Sequence, residues 1–140
     1  MTVVAWRRIE SIAIGALAFA AASLIGDWWW PLVLFLLFDL SAVGYLVNSH
    51  LGANLYNMVH SYGGPALILA WSGLAYAEVL PGASQSLAIL GCSWAFHVAV
   101  DRALGYGLKH TDSFQHTHLG LIGRARRDQQ DEESRRGRLD

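Results

Sequence analysis

The sequence predicts an all-α integral membrane protein, a four-transmembrane-helix bundle with both termini cytoplasmic. Three observations carry that expectation. Of 140 residues, 54% are hydrophobic and 15% charged, a balance that favours lipid over water as the main solvent. The chain holds four apolar stretches, each close to the roughly 20 residues that cross a bilayer core of about 30 Å. Finally, the charges sit at the ends: Arg7 and Arg8 open the chain, the arginines from Arg124 to Arg138 crowd its tail, and the long middle keeps only Arg102 and Lys109.

The first stretch, residues 9–25, ends at Gly26-Asp27 and a tryptophan triplet. It lacks a small-x-small cleavage pattern before a polar domain, so it is expected as a mature helix and not as a signal peptide. The second runs over residues 28–47, with Trp28, Trp29 and Trp30 at headgroup depth. Residues 48–56 break the pattern as a loop before the third stretch, 57–77. Pro81-Gly82 is a turn signal before the fourth, 84–104. Basic residues mark cytoplasmic loops, and the two expected outer loops carry Asp27 and Glu78 without Lys or Arg. A multi-pass protein of a cytoplasmic membrane is expected from this orientation.

Two domains are expected: a transmembrane domain over residues 1–123 and a charged tail over 124–140. The tail, RARRDQQDEESRRGRLD after Gly123, has no apolar periodicity and reads as solvated or disordered. Its arginines alternate with acids and have no aromatic platform, which argues against nucleic-acid binding. The single cysteine, Cys92, excludes an intrachain disulfide. Gly64, Ala66, Gly73 and Gly91 form a small-residue face that would suit a homo-oligomer contact.

Ionisable groups inside a span are expensive and tend to be functional. Asp39 lies in the second stretch, His60 in the third, and His97 and Asp101 in the fourth, all in the cytoplasmic half under the expected topology. His97 and Asp101 are four residues apart and share a helix face. Asn57, His60, Ser61 and Gly64 make a polar and small stripe, and Pro65 leaves the Ser61 carbonyl free. Beyond the fourth stretch, residues 105–118 carry His110, His116 and His118. This segment is expected to fold back as a lid that brings His118 over the cluster. His50, His110 and His116 read as solvated interfacial residues.

The motifs FDLSAVGY, YNMVHSYGGP and FHVAVDRALGYGLKH, followed by THLGLIG, resemble a family of small bacterial integral membrane proteins characterised only as a domain of unknown function. The likeness spans residues 29–123. It implies a compact helical membrane fold and no particular reaction. Asp39, His60, His97, Asp101, Lys109 and His118 match the recurring pattern; His110 and His116 are not carried over.

The residues point first to a metal-dependent enzyme acting from the cytoplasmic leaflet on a lipid-like or hydrophobic small-molecule substrate. Its ligands would be His60, His97, Asp101 and His118, with Asp39 behind them or as general base, and Asp39, His60 and Asp101 as the catalytic set. Imidazole with carboxylate suits zinc or iron, and three protein ligands plus a water would generate a nucleophile near neutral pH. Hydrolysis ranks above oxidation, because membrane di-iron enzymes use more histidines than this chain offers. Two other classes stay open: a small-solute binding or proton-coupled transport module built on the same cluster, and a haem protein ligated by His60 and His97 with Gly63, Gly64 and Gly91 making room. A purely structural role, with His97 bonded to Asp39 to lock two helices, stands beside them.

Overall fold

The computed structural model describes residues 1–77 and 85–138. The chain is mostly helical, and two of its helices are long and apolar enough to cross a membrane. The first, α1 (Val3–Ile25), starts where the Thr2 side chain accepts the Ala5 amide at 3.2 Å. Its buried residues are all small: Ser11, Gly15, Ala18 and Ala22, at spacings of three and four that lie on one face. Its large side chains, among them Ile12, Leu17 and Leu24, point outward. Small residues inside and large apolar ones outside reverse the habit of a water-soluble helix and match lipid-facing packing.

The second expected stretch is not one regular helix. Pro31 opens a short turn, α2 (Trp30–Val33), followed by α3 (Phe35–Asp39) and a 3-10 segment (Leu40–Leu46). Such a long 3-10 run is uncommon and marks local strain or function. It lies against α4 (Ser49–Val59) through two glycines. A Cβ on Gly44 would stand 3.0 Å from the Gly52 Cα, and one on Gly52 would strike the Tyr45 ring. Residues 48–56, expected as a loop, instead form the cap and most of α4, because the Asn48 carboxamide accepts the Leu51 amide at 2.8 Å and starts a helix there.

The third expected stretch is likewise broken. α4 ends at Val59, His60 departs from helical geometry, and α5 (Gly63–Tyr76) begins afresh. Pro65 explains the position of the restart. It sits in the first turn of α5, where its missing amide has no helical partner to lose. The polar stripe expected along one helix is therefore split across a corner.

α6 (Gln85–Leu104) is the central element. It runs antiparallel to α1: Gly26 abuts Ile89, Gly15 abuts Ala99, and Gly105, just past the end of α6, abuts Arg8. The Gln85 carboxamide also donates to the Ile25 carbonyl. On its other side α6 receives α5, where Gly64 admits the Trp94 indole and Gly91 admits Leu69. Those two glycines, expected on an oligomer face, are thus taken up within the chain, whereas Gly73 stays open. Glu78, Pro81-Gly82 and the start of the fourth stretch at residue 84 lie outside the described residues.

Beyond α6 the chain turns through Gly105, whose φ of +100° suits only a residue without a Cβ. It then forms a two-stranded hairpin, β1 (His116–Thr117) with β2 (Gly120–Leu121), joined further to Lys109 by a bridge at Thr117. Of the tail over 124–140, read as solvated or disordered, residues 124–136 belong to helix α7 (Gly123–Arg136). None of its residues is buried, so its helical order comes from local side-chain pairs, such as Arg124 with Asp128 and Gln129 with Glu133, and not from packing.

Candidate metal centre

Two breaks in the helical path and one continuous helix bring the polar residues together. Asp39 closes α3, His60 stands at the corner between α4 and α5, and His97 and Asp101 occupy one face of α6. One ligand atom from each lies within 4.8 Å of all the others. His60 Nε2 is 3.0 Å from His97 Nε2, 3.4 Å from Asp101 Oδ2 and 3.6 Å from Asp39 Oδ1, and His97 Nε2 is 3.8 Å from the same Asp39 oxygen. A tetrahedral ion with bonds of about 2.0–2.1 Å sets its ligand atoms roughly 3.3–3.4 Å apart. The observed separations bracket that spacing.

The cluster is enclosed on three sides. His97 is fully buried, His60 nearly so, and Asp101 largely so, while the Asp39 side chain is 48% exposed. His60 and Asp101 are oriented from behind by hydrogen bonds, and His97 by aromatic packing. His60 Nδ1 lies 3.0 Å from the Tyr56 carbonyl, and donation there leaves the Nε2 lone pair facing the cluster. The Tyr56 ring stacks on His60 with centroids 3.6 Å apart, and its hydroxyl donates to Asp101 Oδ2 at 2.9 Å. His97 is held between the Phe35 and Phe38 rings, at 4.6 and 5.3 Å.

Lys109 closes the inner side. Asn57 clamps its backbone twice, accepting the Lys109 amide at 2.7 Å and donating to the Lys109 carbonyl at 2.8 Å. The amine is buried, 4.0 Å from the Phe114 ring centroid and 5.0 Å from that of Tyr56, and no hydrogen-bond acceptor reaches it. Burial pulls its pKa from the ordinary 10.5 to about 8, against the opposing pull of Asp101.

The structure thus assembles Asp39, His60, His97 and Asp101, and corrects two ligand expectations. His118 is not over the cluster. Its Nδ1 accepts the Leu108 amide at 2.9 Å, its backbone amide donates to the Leu108 carbonyl at 3.0 Å, and its ring packs on Gly107. The hairpin turns it toward Arg7, Glu10, Tyr62 and Arg102 instead, where burial lowers its pKa. Asp39, expected behind the ligands or as general base, brings a carboxylate oxygen into the same group. His116 pairs with exposed Asp112 at 2.7 Å and holds that carboxyl below the usual range. Sequence reasoning missed Tyr56, Phe35 and Phe38; Tyr56 stands four residues before His60, a helical spacing that could have singled it out. The geometry favours a small ion over haem. Two axial histidines would sit roughly 4 Å apart on opposite faces of an iron, whereas here the nitrogens are 3.0 Å apart and Trp94 fills the space at Gly64.

Fold and cluster together define a helical protein with two membrane-length helices and a largely buried Asp/His group that can hold a metal ion. The chain belongs to the DUF4260 family, a domain of unknown function, which it matches over residues 4–122. That match includes α1, which the motif resemblance had left out. No curated protein and no solved structure matches the chain.

Proposed function

We propose that the protein is a membrane-embedded, metal-dependent enzyme that acts on a lipid-like substrate from the cytoplasmic leaflet. The observation that carries the reading is the convergence of four ligand atoms from three helical segments at metal-ligand spacing, with Tyr56 orienting two of them. The membrane part rests on inverted burial, with Leu17, Leu24, Leu36 and Leu46 exposed and the interior lined by small residues. Four spans remain the favoured topology. The second, although broken, would reach about 29 Å with its segments in line, because 3-10 geometry rises about 2.0 Å per residue. An even number of spans keeps both basic ends on the cytoplasmic side.

His60, His97 and Asp101 would hold the ion, with zinc or iron suited to this donor set, and the ion would supply Lewis acidity and activate a water in the fourth position, beside the Asp39 carboxylate. His97 and Asp101 form the fixed wall, because α6 and the Tyr56 hydroxyl allow them little freedom. Asp39 faces the open side and is the group placed to accept a proton from an incoming water. That open side is flanked by exposed Leu36, Leu37 and Leu40, so a substrate arriving there crosses an apolar surface. This favours a hydrophobic substrate, and hydrolysis over oxidation.

One observation favours a second reading. Tyr56, Asp101, His60 and His97 form a near-continuous line of polar contacts at 2.9, 3.4 and 3.0 Å, as a proton-relay or transport module would require. Elemental analysis of the full chain in mild detergent separates the two. About one equivalent of zinc or iron, lost in Asp101→Asn, supports the enzyme reading. Absence of metal, with folding intact, transfers the cluster to proton relay.

A further inference from the structure

Arginines from two parts of the chain, its first and last helices, meet away from the metal cluster. Arg8 of α1 and Arg126 of α7 line a cavity of about 360 Å3 with Leu104, Tyr106, Leu119 and Leu121, and both also line an adjoining cavity of about 510 Å3. These volumes fall within the range of about 300–1,000 Å3 that small-molecule sites occupy. Among the described residues, no carboxylate lies within 4 Å of Arg8, Arg126 or Arg102. Glu133 lines only the adjoining cavity. The Arg8 Nε is shielded from solvent yet has no hydrogen-bond partner, while its Nη2 is held close over Gly105. A shielded guanidinium nitrogen left unpaired is costly and calls for an acceptor.

We propose that Arg8 and Arg126 bind the phosphate of an anionic amphiphile, whose apolar part lies on Leu104, Tyr106, Leu119 and Leu121. Guanidinium is the favoured partner for phosphate, because its fork matches two phosphate oxygens at once. The apolar wall distinguishes the site from one built for a bare ion. Its position also links it to the cluster: Tyr106 and Phe114 line this cavity and also lie against the Lys109 amine. A phosphate-bearing amphiphile seated here rests one aromatic layer from Tyr56 and Asp101. The inference rests on the membrane reading and is independent of the metal.

Native mass spectrometry of the full chain in mild detergent tests it, with phosphatidylglycerol, phosphatidylcholine or inorganic phosphate as the added probe. Phosphatidylglycerol should be retained and phosphatidylcholine not, and Arg8→Gln with Arg126→Gln should weaken retention at least about tenfold. Arg135→Gln with Arg136→Gln, which removes equal charge from the far end of α7, should leave it unchanged. Saturable binding of inorganic phosphate, lost in the Arg8 and Arg126 pair, would keep the site and make free phosphate the ligand. Should the glutamine pair misfold, Arg8→Lys with Arg126→Lys preserves the charge and should retain the lipid. Equal retention of the two lipids, or retention indifferent to the arginine pair, overturns the proposal. His97→Ala should still retain phosphatidylglycerol, so that failure of the metal centre and failure of this site are read separately.

Discussion

Two regions of this chain carry metal-compatible side chains close together in sequence and diverge in three dimensions. One is the α6 face with His97 and Asp101, and the other is the segment of residues 105–118 with His110, His116 and His118. On α6, a rigid helix buried against α1 and α5 holds its two groups in fixed register, and the chain breaks at Asp39 and His60 deliver their partners to the same point. In the later segment, local hydrogen bonds claim the side chains first: the Leu108 amide takes His118, and the Asp112 carboxylate takes His116. A potential ligand becomes a ligand only when nothing nearer satisfies it, and rigid burial denies it the nearer options.

The largest test of that contrast is to remove one histidine from each region. His97→Ala should abolish stoichiometric metal in elemental analysis, and His118→Ala should leave it within experimental scatter, because the former removes one of the four converging ligand atoms and the latter none. Equal loss in both variants would restore His118 to the ligand set and dissolve the contrast.

A smaller effect is expected behind the ligands. Tyr56→Phe removes the hydroxyl that donates to Asp101 while keeping the ring on His60, and should weaken metal affinity about tenfold with little change in thermal stability. An unchanged affinity would mean that helix packing alone orients Asp101.

Lys109 offers a test through pH. Its pKa is near 8 when folded and near 10.5 when unfolded, so between those values the unfolded chain binds more protons and stability rises with pH. The cost of burying the charged amine is present in full below pH 8 and relieved by about pH 10.5. Wild type should therefore gain on the order of 2–3 kcal/mol across that window, and Lys109→Met should flatten the rise in denaturant titrations at pH 7, 8 and 10. A parallel rise in the variant would trace the effect to other groups.

The smallest effect is expected at the exposed pair. His116→Ala should change stability by less than about 0.5 kcal/mol, since exposed ion pairs contribute little. A larger loss would show that the hairpin depends on that contact.

Much of the helical content could be read from composition and spacing, because hydropathy and Pro/Gly punctuation act locally. The strong polar residues stood out for the same reason, since an Asp or His in an apolar run is conspicuous whatever its neighbours. The breaks were harder to read. Pro65 was noticed as freeing a carbonyl, yet its consequence, a fresh helix start that turns His60 into a corner, depends on what α5 packs against. Asn48 as a cap and Tyr56 as the hidden orienting group were equally visible in the letters, but each acts only through a partner that the fold supplies.

By itself, then, the sequence determined the apolar helices, the basic ends, the likeness to an uncharacterised family, and the polar residues that stand out in apolar runs. Tertiary structure alone decided that Asp39, His60, His97 and Asp101 gather at one point, that His118 turns away, and that the Lys109 amine is buried beside Tyr56. The physical reason is range. Hydropathy is a property of a window of residues, whereas a metal-ligand geometry is a distance of 3–4 Å between atoms tens of residues apart, set by where helices break and which side chains the backbone satisfies first.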